Sequence, residues 1–287
     1  MLYKYLVMKK CFKLIFVFVA IMLAMSACKN VASVGSMFSD ADTVAIATVS
    51  KSDTSWFALT TGGRCDVDAS VNISYPAGDK DAETTDKMKH LFVQHVLELA
   101  DSISFDECPD QYLRGMLNQY GISSDEKAEH VEDDYVSVYR YSNITDIGVV
   151  FNRSNILSFC RYEVIKKNDK VTMATHRYVN FDLNNMSRIE VSNLFGESVL
   201  DEVAKMLKDK LKKQNGVDSD DALIDLGYFN LDNLRVTNNF YFKDESVVWT
   251  YVPYEISLYS VGETEIELTF DEMSMYLNDN SPVSYID

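Results

Sequence analysis

The order of apolar and polar positions divides the first half of the chain into strand-like and helix-like blocks. Between Val67 and Tyr75, apolar side chains alternate with Asp, Ser and Asn, which predicts a strand with one polar face. A stripe of side chains at helical spacing follows, and it predicts an amphipathic helix over about residues 83–102. We expect a short helix near residues 110–119 and a mobile acidic loop after it.

Strand patterns return in the second half of the chain. Consecutive strands with short polar links predict an antiparallel meander, over residues 135–141, 147–151, 156–165 and 171–183. A helix is predicted over about residues 198–213, because its last turn is rich in lysine and Asn215-Gly216 follows it. Further strands are predicted at residues 239–243, 247–254 and 263–270, with a short helix near 271–277.

This grouping of elements indicates the fold class. Helices and strands occur in blocks and do not alternate one by one, which favours an α+β fold over a doubly wound one. The expected architecture has two sub-domains, each an antiparallel sheet with a helix packed on one face. We place them at residues 61–169 and 170–287. No GxGxxG or Walker A motif occurs, so a nucleotide-binding fold has no support.

The N-terminal segment is typical of a bacterial lipoprotein. Three lysines precede twelve apolar residues, which is the length of a signal-peptide core and too short for a membrane span. Met25-Ser26-Ala27-Cys28 resembles a lipobox, so residues 1–27 are predicted to be a signal peptide and Cys28 the lipid attachment site. The alternative is an ordinary secretory signal. We interpret residues 28–60 as the lipidated cysteine and a flexible tether to the membrane of the cell envelope, with the outer membrane expected.

The charge of the chain limits the kinds of partner it can bind, and its cysteine content limits the number of disulfides. The chain carries 27 basic and 44 acidic side chains, a net charge of −17, which argues against nucleic-acid binding. Cleavage after residue 27 would remove four lysines and no acid, leaving −21. Cys65, Cys108 and Cys160 would then remain, so at most one disulfide could form.

No catalytic or metal-binding motif is present. The sequence lacks GxSxG, HExxH and CxxC, and the five-residue spacing of His90 and His95 does not suit a metal site on a helix. No cofactor and no metal are therefore expected. Asp218-Ser-Asp-Asp is interpreted as a loop that connects helices. A dyad of Cys160 and His176 stays open as the basis of a hydrolase.

Aromatic and acidic residues dominate the last part of the chain. After Lys243 there are ten acidic residues and no Lys or Arg, together with several Tyr and one Trp. Such a composition suits a surface that attracts a cationic partner and anchors it on aromatic side chains. The alternative is a solubilising acidic surface over an aromatic core.

Two segments carry a resemblance to a known family. Residues 251–273 (YVPYEISLYSVGETEIELTFDEM) resemble the YxPYEIAPYAxG signature of the C-terminal domain of RsiV-type anti-sigma factors, also found with PdaC-type peptidoglycan deacetylases. Residues 176–195 (HRYVNFDLNNMSRIEVSNLF) are similar to a second stretch of that domain. The match covers about residues 170–277, and residues 61–165 resemble the domain that often precedes it.

The resemblance implies an envelope location and a recognition role. RsiV-type proteins bind lysozyme, a small basic protein, through this region. No sigma-binding segment and no deacetylase domain are recognisable here, so neither of those activities is expected.

The sequence thus favours a lipid-anchored envelope binding protein without catalysis, whose ligand is a cationic, lysozyme-like protein or a cell-wall glycan. The expected binding residues are Tyr251, Tyr254, Glu255 and Tyr259. The alternatives are an envelope hydrolase that acts on peptidoglycan or glycan, and a structural module of an outer-membrane assembly.

Overall fold

The computed structural model describes residues 43–58, 63–78, 81–100, 102–119 and 137–286. The predicted signal peptide, Cys28 and nearly all of the predicted acidic loop lie outside these residues, so those assignments stay predictions. Among the residues that are described, none of the helices has both the length and the apolar character needed to cross a membrane.

The described residues contain a large sheet whose six strands lie side by side in chain order. The strands are β1 (Ile46–Ala58), β2 (Arg64–Pro76), β3 (Ser137–Arg153), β4 (Ile156–Lys167), β5 (Lys170–Asp182) and β6 (Ser187–Ile189). The predicted meander corresponds to the antiparallel strands β3, β4 and β5. The sheet is nevertheless mixed, because β2 and β3 are parallel. This pairing was not expected, and it follows from a long helical crossover between the two strands.

The first strand corrects the predicted tether. Residues 28–60 were expected to be flexible, but β1 pairs with β2 from Ile46 opposite Pro76 to Ala58 opposite Arg64. Just before β1, the buried Val44 exchanges two hydrogen bonds through its main chain with the side-chain amide of Asn152, at 3.0 and 2.8 Å. The strand was missed because it lies at the sheet edge and exposes Ser, Thr, Lys and Asp side chains. Its pairing depends on backbone hydrogen bonds, which leave no apolar period in the sequence.

Two helices from the crossover pack on one face of the large sheet. They are α1 (Ala82–His95) and α2 (Cys108–Asn118), with a turn of 3₁₀ helix at Phe105–Glu107. The side chain of Asp81 accepts a hydrogen bond from the Thr84 backbone and begins α1. The helix ends earlier than predicted, and Glu98 soon after it has a φ of 55°, which helical residues do not adopt. Phe92 of α1 meets Phe159 of β4 edge to face in this core, with ring centroids 4.9 Å apart.

The opposite face of the large sheet is covered by the C-terminal elements. They include a second, three-stranded antiparallel sheet of β7 (Phe240–Phe242), β8 (Ser246–Tyr251) and β9 (Thr264–Thr269). The helices are α3 (Val191–Leu194), α4 (Leu200–Asn215), α5 (Asp220–Asp225) and α6 (Phe270–Met273), and 3₁₀ turns lie at Glu197–Val199, Leu231–Asn233 and Pro282–Tyr285. Trp249 is fully buried in this second core, together with Phe151 and Ile156 of the large sheet.

The two cores lie on the two faces of one sheet, so the predicted boundary between two sub-domains falls inside that sheet. The expected boundary between residues 169 and 170 falls in the turn between β4 and β5, which pair from Ile156 opposite Asp182 to Lys167 opposite Lys170. Residues 39–287 cluster as one compact unit. The α+β class is confirmed, and the two predicted sub-domains share the large sheet.

An ion pair in the small sheet gives a pH-dependent prediction. Lys243 and Ser246 donate hydrogen bonds to the carboxylate of Glu267, at 2.8 and 2.6 Å. These bonds, the one from Lys243 foremost, hold the pKa of Glu267 below its ordinary value. A depressed carboxyl pKa stabilises the folded state above the unfolded pKa, and this contribution disappears as the pH falls through the folded pKa.

Glu267→Gln should therefore cost about 0.5–1 kcal/mol of unfolding free energy at pH 7, because the pair is partly exposed, and less at pH 3. Urea denaturation at both pH values measures the difference. Glu245→Gln is the matched control, since its side chain is exposed and forms no ion pair among the described residues. An equal loss at pH 7 and pH 3 would contradict the assignment.

Candidate functional site

Two segments, residues 224–227 at the end of α5 and residues 254–259, form an exposed apolar patch on the C-terminal half. Their large side chains are all more than two-fifths exposed, and we call them together the tyrosine surface: Ile224, Leu226, Tyr254, Leu258 and Tyr259. Contiguous exposed apolar side chains are typical of a surface that binds a partner.

Backbone hydrogen bonds tie the two segments together. The amide of Leu258 donates to the carbonyl of Gly227, and the amide of Phe229 donates to the carbonyl of Ile256, each at 2.9 Å. Gly227 has a φ of 98°, and a Cβ there would lie 2.9 Å from Val261 Cγ2. Only glycine therefore fits the close approach of the two segments.

Tyr254 and Tyr259 form the most prominent part of the surface. Their rings stack with centroids 6.3 Å apart and an interplanar angle of 23°. They are 67% and 43% exposed, so most of the Tyr254 ring is open to solvent. Tyr254 has a φ of 75°, a left-handed conformation that a tyrosine adopts at a cost of about 1–3 kcal/mol. Its amide donates to the carbonyl of Ser257 at 2.8 Å, which holds the turn in this shape.

Of the other two predicted binding residues, Tyr251 is buried and Glu255 is exposed. Tyr251 is only 3% exposed, and its hydroxyl donates to the carbonyl of Arg235 at 2.7 Å. Burial raises the pKa of this hydroxyl well above its ordinary value. Tyr251 is thus a core residue, and its assignment to a binding surface was wrong. Glu255 is exposed, but its carboxylate accepts a hydrogen bond from the Val252 amide and so also shapes the loop.

The charge around the tyrosine surface is negative. Residues 214–234 and 244–287 contain no Lys or Arg. Three exposed acidic side chains lie in or beside these two segments, namely Asp221 and Asp225 of α5 and Glu255. The surface therefore combines stacked aromatic rings with acidic side chains from its own segments, a combination that attracts cations.

The segment Asp218-Ser-Asp-Asp, predicted to be a loop that connects helices, lies between α4 and α5, and its last two residues already belong to α5. Ser219 accepts a hydrogen bond from Ala222 N and begins α5, which contains Asp220 and Asp221. Asp220 is bound by Lys208 and Lys212, both at 2.8 Å. Within the described ranges, no group of three or more His, Cys, Asp or Glu side chains is placed to hold a metal ion.

Cys160 and His176, the open dyad, lie on adjacent strands but have separate contacts. His176 binds the Glu263 carboxylate through Nδ1 and stacks on Tyr162 with centroids 4.3 Å apart. Burial raises the pKa of the Cys160 thiol to about 12, so the thiol is protonated at neutral pH. The arrangement does not present Cys160 as an activated nucleophile. All three described cysteines are free.

Comparisons with known proteins identify the domain that carries the tyrosine surface. Residues 192–271 match the sequence model of a family described as "Protein of unknown function (DUF3298)". A crystal structure of a DUF3298 family member from Bacteroides fragilis has a TM-score of 0.67 at 19% identity, covering 86% of this chain and 99% of that one. A DUF3298 family protein from Pseudomonas aeruginosa has a TM-score of 0.49 at 10% identity, with 83% and 96% coverage. No curated protein sequence matches the chain.

The family match includes every residue of the tyrosine surface. The similarity to the Bacteroides fragilis protein shows a shared fold at low identity. Together they confirm the predicted resemblance at the level of a domain family of unknown function. The chain therefore carries a DUF3298-like domain of unknown function within an α+β fold.

Proposed function

We propose that the protein is a lipid-anchored binding protein of the bacterial cell envelope, and that its tyrosine surface recognises a basic protein. The observation that carries the proposal is the pair of stacked, exposed rings of Tyr254 and Tyr259 in loops that contain acidic but no basic residues. Aromatic side chains are frequent anchors of protein interfaces, and negative charge accelerates the approach of a cationic partner.

The strained backbone of Tyr254 supports a role in recognition. A tyrosine in the left-handed region is uncommon, and glycine would adopt the same turn at lower cost. Residues held in such conformations are concentrated at ligand-binding and active sites. The negative field also favours a basic protein over a neutral glycan as the ligand.

The lipid anchor and the envelope location rest on the sequence pattern around Cys28. The resemblance of residues 251–273 to RsiV-type proteins supports the same location and suggests lysozyme as the first basic protein to test. Mass spectrometry of the native protein checks the anchor. An unmodified Cys28 in a chain that retains residues 1–27 would contradict it.

We expect lysozyme to bind the protein at low ionic strength. The double variant Tyr254→Gly and Tyr259→Ala should weaken this binding at least tenfold, which corresponds to about 1.4 kcal/mol of binding free energy. Glycine at position 254 keeps the positive φ, so the loop should fold normally. Met275→Ala is the matched control, because Met275 is 89% exposed and lies outside the tyrosine surface.

Surface plasmon resonance at 20 and 150 mM salt measures both effects, since the charge contribution weakens as salt rises. Equal binding by the double tyrosine variant and by Met275→Ala would contradict the proposed surface. The absence of lysozyme binding at 20 mM salt would contradict the class of ligand.

A further inference from the structure

Arginine side chains converge on a cleft that Glu255, the neighbour of Tyr254, also lines. The cleft has a volume of about 190 Å³ and lies between the C-terminal end of α1, strand β5 and the residues before β7. Three of the eight arginines of the chain line it, namely Arg161, Arg177 and Arg188. Such a concentration of cations is unexpected in a chain with a net charge of −17.

The register of the sheet forces two of these cations together. Arg161 of β4 lies directly opposite Arg177 of β5. Residues opposite each other in an antiparallel pair have Cβ atoms about 5 Å apart, and like charges at this position destabilise the sheet. Arg177 is exposed and has no ion pair with any described residue. An anion between the two guanidinium groups would remove this repulsion.

Arg161 is held in place with part of its donor capacity unused. The residue is 8% exposed, and its Nη1 donates to the carbonyl of Val96 and to Glu98 Oε2, both at 3.0 Å. Its Nε has no hydrogen-bond partner among the described residues, since Glu163 is 3.9 Å away. Buried donors without partners are rare in native proteins, and a bound ion or ligand is one of their explanations.

We propose that this cleft binds a small molecule through a single carboxylate group. The planar guanidinium group of Arg177 can present two parallel donors to a carboxylate, and Arg188, whose Nη1 lies 3.5 Å from Glu190 Oε1, can add a donor from its side of the cleft. Glu98 and Glu255 also line the cleft, so its three arginines and two glutamates sum to one positive charge. One positive charge suits a monoanion better than a phosphate dianion. The volume is below the roughly 300–1,000 Å³ of drug-sized ligand sites, which limits the ligand to a small acid.

Titration with N-acetyl-alanine, followed by NMR chemical shifts of the arginine side chains, tests the proposal. We expect saturable binding that Arg177→Gln and Arg188→Gln each weaken about tenfold, because each variant removes a charge-assisted pair. Arg235→Gln is the matched control, since Arg235 is exposed and does not line the cleft. It should leave the affinity unchanged.

Two further probes separate carboxylate recognition from other binding. N-acetyl-alaninamide has the same size without the charge and should not bind. Inorganic phosphate should bind more weakly than N-acetyl-alanine. The proposal is overturned if N-acetyl-alanine does not bind, if the amide binds equally well, if phosphate binds more tightly, or if Arg235→Gln weakens binding as much as Arg177→Gln.

Discussion

Asn239→Ala is expected to lower the free energy of unfolding by about 3 kcal/mol, because it removes three hydrogen bonds to partly buried main-chain atoms. Its Oδ1 accepts from the Tyr178 amide at 2.8 Å. Its Nδ2 donates to the carbonyls of His176 and Thr250, at 3.0 and 2.9 Å. This one side chain joins β5 of the large sheet to β8 of the small sheet. The variant would leave main-chain groups without partners in a sheet edge that no other strand covers at this point.

Asn238→Ala provides the matched control for this prediction. Asn238 is exposed and accepts one described hydrogen bond with its side chain, from the Val191 amide at 2.8 Å. It should cost about 1 kcal/mol. Urea denaturation followed by circular dichroism measures both variants. A loss for Asn239→Ala no larger than that for Asn238→Ala would show that the two sheets do not depend on this residue.

Removal of β1 is the second change with a large expected effect. A variant that begins at Gly63 should lose at least about 4 kcal/mol of unfolding free energy, a large part of the 5–15 kcal/mol typical of a domain. The thirteen paired positions of β1 would disappear, and so would the burial of Val44. Strand β2 would then become an exposed edge, which promotes aggregation.

A variant that begins at Thr43 keeps β1 and serves as the reference. It should unfold cooperatively in a thermal or urea denaturation experiment. The variant that begins at Gly63 should unfold at a lower temperature or urea concentration, or be insoluble. Equal midpoints would mean that residues 46–58 act only as the tether that the sequence pattern indicated.

Helices and strands whose apolar residues recur at a regular spacing were predictable from the sequence. Strands that are held mainly by backbone hydrogen bonds were not. The alternation at Val67–Tyr75 and the stripe of α4 both reflect one buried face, and each appears in the structure. Strand β1 has no such period, because its side chains at the sheet edge are mostly exposed. The parallel pairing of β2 and β3 depends on where the crossover returns, which no local pattern encodes.

The candidate site was predictable only where local composition indicated it. The density of tyrosines and acids indicated the loop of Tyr254 and Tyr259, and the structure exposes both rings. Tyr251 was misassigned because all six residues of β8 are buried, so alternation could not separate core from surface. The arginine cleft was missed because its residues come from distant parts of the chain. The turn at residues 168–169 alone would place Arg161 opposite His176, and a register shift between Ile165 and Lys166 brings Arg161 opposite Arg177.

The close contact at Gly227 has a consequence for the thermodynamics of recognition. Because the two loops are fastened to each other by backbone bonds, the apolar side chains on them already occupy the arrangement that a partner would meet. Little ordering entropy remains to be lost on complex formation, so a modest contact area can give useful affinity. A larger residue at position 227 would press on Val261 and on Leu258 of the tyrosine surface, and it would loosen this preorganisation.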